Sequence, residues 1–180
     1  MRSKLIYIIF AIAVLMAGIL LAISLAEPVA NAGGAAHPDF PGMQIGGDGA
    51  ARLEHIGLLG FTFQCLLLSQ IILLSLLGIA ERHRTTDLFV YMGGTMLFTL
   101  FIGWQMYSGH TQYLDTGRTG YFMGFPTATA WQLYGTWLGA IPLVIIYSLG
   151  FRKYIYTPQD EEKFQQLLSE KAQERTRSEQ

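Results

Sequence analysis

Charge is scarce in this sequence, and the scarcity is uneven. Only 14% of its 180 residues are Asp, Glu, Lys or Arg, against roughly 25% in an average soluble domain, and long stretches carry none. The formal net charge is −1, and no basic stripe or groove is visible, which removes the electrostatic basis of a nucleic-acid-binding surface. Cysteine is nearly absent. The single Cys65 lies in an apolar run, cannot close an internal disulfide, and reads as a small buried hydrophobe. Metal and nucleotide motifs are missing as well: there is no H-E-x-x-H, H-x-x-x-H, C-x-x-C or phosphate loop. Gly46-Gly47-Asp48-Gly49 is glycine-rich but opens no strand–helix unit, so it reads as a loop. No nucleophile–base arrangement and no carboxylate pair facing a cleft can be discerned.

What is present is hydrophobic sequence in long runs. A bilayer core of about 30 Å takes about 20 apolar residues in helical form. Four segments meet that length: Leu5 to Ala26, Ile56 to Ala80, Leu88 to Ser108, and Trp131 to Phe151. The expected fold is all-α, a four-helix integral membrane bundle over residues 1–156 followed by a helical tail over 157–180. The polar turn from Glu81 to Asp87 makes spans two and three an antiparallel hairpin. Span one begins with Arg2 and Lys4 and is followed by Ala30-Asn31-Ala32, a possible cleavage site. Its apolar run exceeds the roughly 7–15 residues of a signal core, so a retained helix is expected; cleavage would leave three spans.

Lys and Arg placement gives the orientation. Arg2, Lys4, Arg82, Arg84, Arg152, Lys153 and the tail fall on one side, and only Arg52 and Arg118 on the other. The first side is expected to be cytoplasmic, with both termini there. Loops 27–55 and 109–130 face outward, into the periplasm of a bacterium. The expected location is a bacterial inner (plasma) membrane, crossed several times. Trp104, Tyr107, Trp131 and Tyr134 gather near the outer boundary, and Phe151, Tyr154 and Tyr156 near the inner one, where amphipathic rings favour the headgroup region.

Membrane helices pack through small residues and occasional polar side chains. In span two, Gly57, Gly60, Gln64, Ser75 and Gly78 fall within roughly a 60° arc at about 100° per residue. Tyr91, Thr95, Thr99 and Gly103 step by four along span three, and Gly135 and Gly139 form a G-x-x-x-G in span four, ahead of Pro142. These positions are expected to meet other helices. No ionisable residue lies near the middle of any span, whereas pumps and proton-coupled carriers keep such groups there. With no inverted repeat visible, a self-sufficient secondary transporter is not expected.

Candidate chemistry is confined to the outer side. His55 precedes span two and His110 follows span three. The hairpin brings them to one depth, where two imidazoles suit haem, or a quinone headgroup. His37 and Asp39 are the candidate metal ligands. The competing reading is that these histidines make ordinary interfacial hydrogen bonds. His83, between two arginines, reads as solvated. In the tail, Thr157, Pro158 and the acids that follow make a helix start. That helix is expected to run to about Gln173, with Phe164, Leu167 and Leu168 on one face for docking a partner and 175–180 disordered.

Gly124-Phe125-Pro126 leads through Ala128-Thr129-Ala130-Trp131 to Tyr134-Gly135 and an apolar span ending in Tyr147 and charge. This stretch resembles the last segment of the small accessory subunits that accompany sodium/solute symporters. Those subunits have two spans where this chain has four, and the resemblance implies a partner subunit without transferring any ligand or catalytic residue. The functional expectation is therefore a non-catalytic accessory or structural subunit of a larger membrane complex, a transporter or a respiratory enzyme. The alternatives are a redox subunit holding haem or quinone between His55 and His110, and an oligomeric channel built through the span-four glycines.

Overall fold

A computed structural model describes residues 2–27, 35–52 and 56–178; His55 and Ala30-Asn31-Ala32 lie outside them. The described chain is almost entirely helical, and four of its helices are long and apolar enough to cross a membrane. The first is α1 (Arg2–Leu25). A long loop follows, holding a two-residue hairpin of β1 (Ala35–Ala36) and β2 (Gln44–Ile45) and a single turn, α2 (Gly49–Arg52). The Asp48 carboxylate caps that turn, accepting the N–H groups of Ala50 and Ala51 at 3.0 and 3.1 Å, so the glycine-rich loop ends as a helix start.

The second apolar helix, α3 (Leu58–Gly78), returns antiparallel to α1. A short 3-10 turn, Glu81–His83, joins it to α4 (Thr86–Thr116). At about 1.5 Å per residue α4 is about 46 Å long, well beyond a bilayer core of about 30 Å. The expected end at Ser108 therefore falls about two turns short. Gly109, His110 and Gln112 interrupt the apolar run without breaking the helix. What stops it is Gly117, at φ 65°, whose N–H reaches the Tyr113 carbonyl at 2.8 Å, a left-handed glycine cap.

The chain then folds into a hairpin of β3 (Tyr121–Phe122) and β4 (Phe125–Pro126). Met123 and Gly124 at its tip have φ of 48° and 84°, the paired positive values of a type I′ turn. The fourth apolar segment, Thr127–Ser148, begins as α5 (Thr127–Ala130), widens into a π turn at Trp131–Gly135, and continues as α6 (Thr136–Ser148) around Pro142. A second π turn, Phe151–Ile155, leads into α7 (Pro158–Ser178). The helix thus passes Gln173 and includes 175–178. After Pro158 no glycine or proline interrupts it. Lys171, Glu174 and Arg177 alternate in sign at i, i+3, and Arg175 and Arg177 suit the negative end of the dipole.

The long helices pack in a row, α1 on α3, α3 on α4, and α4 on the α5–α6 span. The core lies at one end of this row: Ile72, Leu76 and Ile79 from α3 and its end, Leu88 and Met92 from α4, and Ile146 and Tyr154, with Leu5 of α1 against them. We call this the basic end, because Arg82, Arg84, Arg152 and Lys153 surround it. The opposite hairpin end is packed by aromatic rings. Phe61 stacks on Tyr107 with centroids 4.6 Å apart, Phe101 meets Trp131 edge-on at 5.7 Å, and Tyr134 lies between Phe122 and Phe125.

Candidate functional site

Polar side chains converge at the basic end. Asp87, in the first turn of α4, accepts a hydrogen bond from the Tyr154 hydroxyl at 2.6 Å and pairs with the Lys153 ammonium. Asp160, in the first turn of α7, pairs with the Arg82 guanidinium and lies 3.3 Å from His83 Nε2. The same carboxylate accepts the Thr157 hydroxyl at 2.8 Å and the Thr157 N–H at 3.1 Å, the backward half of a capping box. Arg152 reaches Glu161 at 2.5 Å. Arg84 faces the other way and donates to the carbonyls of Ile79 and Leu77, at 2.9 and 3.1 Å. The α3–α4 turn, the start of α4, the second π turn and the start of α7 are thereby tied into one rim.

Charge states follow from these contacts. Hydrogen bonds from the Thr157 hydroxyl and N–H, with the Arg82 charge nearby, hold the Asp160 carboxyl below its ordinary value. The bond to Asp87, and then the one to Tyr154, keep the Lys153 ammonium protonated above its ordinary value. Burial and the donated bond to Asp87 push the Tyr154 hydroxyl up.

Within the bundle, Gln64, Thr99, Gly103 and Gly139 line one cavity of about 240 Å³ between α3, α4 and α6. Gln64 Nε2 contacts Met106 Sδ at 3.9 Å. A Cβ added at Gly135 would sit 2.9 Å from Ile102, and one at Gly139 3.1 Å from Ile102 and 3.3 Å from Thr99, so the span-four glycines seat α6 on α4. Thr95 is buried one turn away on the same face of α4, where it lines a groove toward α6. Gly60 is different: its Cα faces open space, and Gly57 lies in the turn before α3. The hydroxyls of Thr62, Ser69, Ser75, Thr95 and Thr99 each donate to a carbonyl of their own helix. None of these protons is turned toward a path between helices.

At the hairpin end, His110 is exposed on the protruding turns of α4. It lines a cavity of about 220 Å³ with Tyr113, Thr119, Tyr121 and Thr129. Since Phe61 stacks on Tyr107, one further turn brings His110 level with Gly57, on the side of α4 that faces the hairpin and α5. His37 and Asp39 lie in the long loop. His37 Nδ1 accepts the Asp39 N–H at 3.1 Å, and its ring leans on Phe40, so that nitrogen serves a local turn. Among the described residues no three His, Cys, Asp or Glu side chains come together as metal ligands do. Phe164, Leu167 and Leu168 are exposed on α7.

The rim was missed by sequence reasoning. The signal lay in topology: antiparallel spans place Arg82, Arg152 and Lys153 at the same end as Asp87, Asp160 and Glu161, and opposite charges sharing one end will pair. Comparison with family models, with curated proteins and with solved structures finds no match.

Proposed function

We propose that the chain crosses a membrane four times, with its basic end cytoplasmic, and serves there as a non-catalytic accessory subunit of a larger membrane complex. Insertion is supported by α1. It is apolar around its whole circumference, yet Ile6, Phe10, Leu15 and Leu21 are exposed, and a helix apolar on all sides needs either a protein interior or lipid. Orientation is supported by the rim, since cytoplasmic faces gather Lys and Arg. The ends of α4 agree: with Leu88 at the inner boundary, about 20 residues of helix reach the outer one near Tyr107.

The observation that carries the subunit reading is α7. Its first turn is clamped to the bundle through Asp160 and Glu161. Beyond that turn it presents Phe164, Leu167 and Leu168, all exposed. A rigidly mounted helix with a bare apolar face is suited to helix-in-groove docking. The partner in this reading is a transporter or respiratory enzyme. Purification in mild detergent tests it: Phe164→Ala with Leu167→Ala should release a co-purifying membrane protein. A lone monodisperse monomer from wild-type membranes would sink the reading.

The His110 cavity favours a second reading, a quinone site on the outer side. An imidazole beside Tyr113 and Tyr121 supplies donors for a quinone oxygen. Quinone extracted from purified protein in equal amounts for wild type and His110→Ala would dispose of it.

A further inference from the structure

Two features at the basic end have no role in the accessory-subunit reading. One is a groove of about 560 Å³ between α4 and α6. The two helices are held close by Gly135 and Gly139 against Ile102. Past Pro142 that contact ends, and Gly94 and Phe98 face Pro142 and Leu149 across the groove. Gly94 has no neighbour within 4 Å of where a Cβ would be. The walls are nearly all hydrocarbon, and the groove ends at Lys153 and Tyr154.

The other feature is how the ion pairs at that end are turned. In the three pairs made by Arg or Lys, the cation is the more exposed partner. The Arg82 side chain is 62% exposed and Asp160 12%; Lys153 is 61% and Asp87 37%; Arg152 is 67% and Glu161 45%. Each of these cations reaches further out than its carboxylate, and Asp160 is tucked in. The outward surface at the groove mouth is therefore cationic although each pair is neutral.

The geometry points to a binding site for an anionic phospholipid of the inner leaflet, one acyl chain in the α4–α6 groove and the phosphate at Lys153 and Arg152. This rests on the four-span reading, which puts the groove at bilayer depth and its mouth at the headgroups. An aliphatic chain matches the walls. A phosphate matches two outward cations, and basic pockets between helices on the cytoplasmic side favour anionic headgroups. The Tyr154 hydroxyl is committed to Asp87, so recognition falls to the ammonium and guanidinium.

Native mass spectrometry of the full chain in mild detergent, with phosphatidylglycerol or phosphatidylcholine added, tests the assignment. One phosphatidylglycerol should be retained with about a tenfold preference, since each juxtamembrane cation adds roughly 1 kcal/mol of attraction and the paired carboxylates offset part of it. Arg152→Gln with Lys153→Gln should abolish the preference. Gly94→Leu, whose side chain has room to enter the groove, should reduce retention of both lipids. Equal retention of the two lipids by wild type overturns the site, as does undiminished phosphatidylglycerol retention in Gly94→Leu. Two chains cross-linked through Leu149→Cys in place of lipid retention would assign the groove to a second copy and also overturn it. Release of the chain from membranes by alkaline carbonate would overturn the four-span reading itself. That outcome is distinct from lost lipid preference in a chain that stays in the bilayer.

Discussion

The Tyr147 hydroxyl, on α6, donates a 2.5 Å hydrogen bond to the Ser75 backbone carbonyl of α3. That carbonyl is one of the four orphaned at the end of a helix. Its ordinary partner, the Ile79 N–H, turns to the Leu76 carbonyl at 3.3 Å as the chain leaves the helix. Arg84 takes the Leu77 and Ile79 carbonyls. The end of α3 is thus capped by one side chain from the next turn and one from another span.

Tyr147→Phe tests the weight of that cap. It removes one hydroxyl and leaves an acceptor in apolar surroundings, which should destabilise the fold by about 1 kcal/mol, the lower part of the range for an orphaned buried group. Side-chain hydrogen bonds between membrane helices average about 0.6 kcal/mol, so a larger loss is not expected. Reversible unfolding in mixed detergent micelles reads the difference. Stability equal to wild type would mean that the carbonyl finds another donor and that Tyr147 is only packing.

The seating of α6 on α4 gives a steric prediction. A methyl at Gly135 would meet Ile102 and Trp131 at 2.9 Å, which forces the helices apart. Gly135→Ala should therefore destabilise by about 1–3 kcal/mol, as over-packing does, and should cost less in an Ile102→Ala background, which lacks the Cγ2 that the methyl would meet. The double variant decides the matter. If Gly135→Ala costs as much in that background as in the wild type, the glycine is not held by this contact.

These two contacts also show what could be read from residues alone. The Gly135/Gly139 contact was legible because a G-x-x-x-G leaves a notch wherever the partner lies. The stripe in α3 was legible only in part: Gln64 and Gly103 do meet, but Gly60 faces open space, because a small residue permits close approach without naming a neighbour. Tyr147 could not be assigned to Ser75, since that pairing depends on the relative height of two helices. The rim was hidden for the same reason. Arg82 and Asp160 are 78 residues apart, Lys153 and Asp87 66, and neither has a local signature. The end of α4 was misplaced because polarity was read as termination, whereas the helix continues until Gly117 supplies a left-handed cap.

The rim makes a prediction about pH. The folded Asp160 carboxyl titrates below its ordinary value because Thr157 donates to its ionised form. Its contribution to docking the first turn of α7 is thus fully present above the unfolded value of about 3.9 and is lost as pH falls through the lower folded value. Amide exchange at 160–162, corrected for intrinsic rate, should stay slow at neutral pH and accelerate on acidification. Asp160→Asn should exchange fast throughout, because it keeps the shape and removes the charge. If wild type and variant exchange alike at neutral pH, α7 is held by something other than this carboxylate.

Orientation can be tested with the native thiol removed. Cys65 is the chain's one cysteine and is partly buried in α3, so Cys65→Ala gives a background in which any label reports an added cysteine. Thr119 lies between α4 and β3, at the hairpin end, and Ser169 is exposed on α7, beyond the basic end. With four spans and a cytoplasmic basic end, an impermeant maleimide added to intact cells should label Thr119→Cys and leave Ser169→Cys unlabelled until the membrane is permeabilised. Labelling of Ser169→Cys alone in intact cells would invert the orientation and move the rim cations to the outer leaflet. Labelling of both in intact cells would mean an even number of crossings between them, and the Thr127–Ser148 helix would then have to lie on the membrane instead of across it.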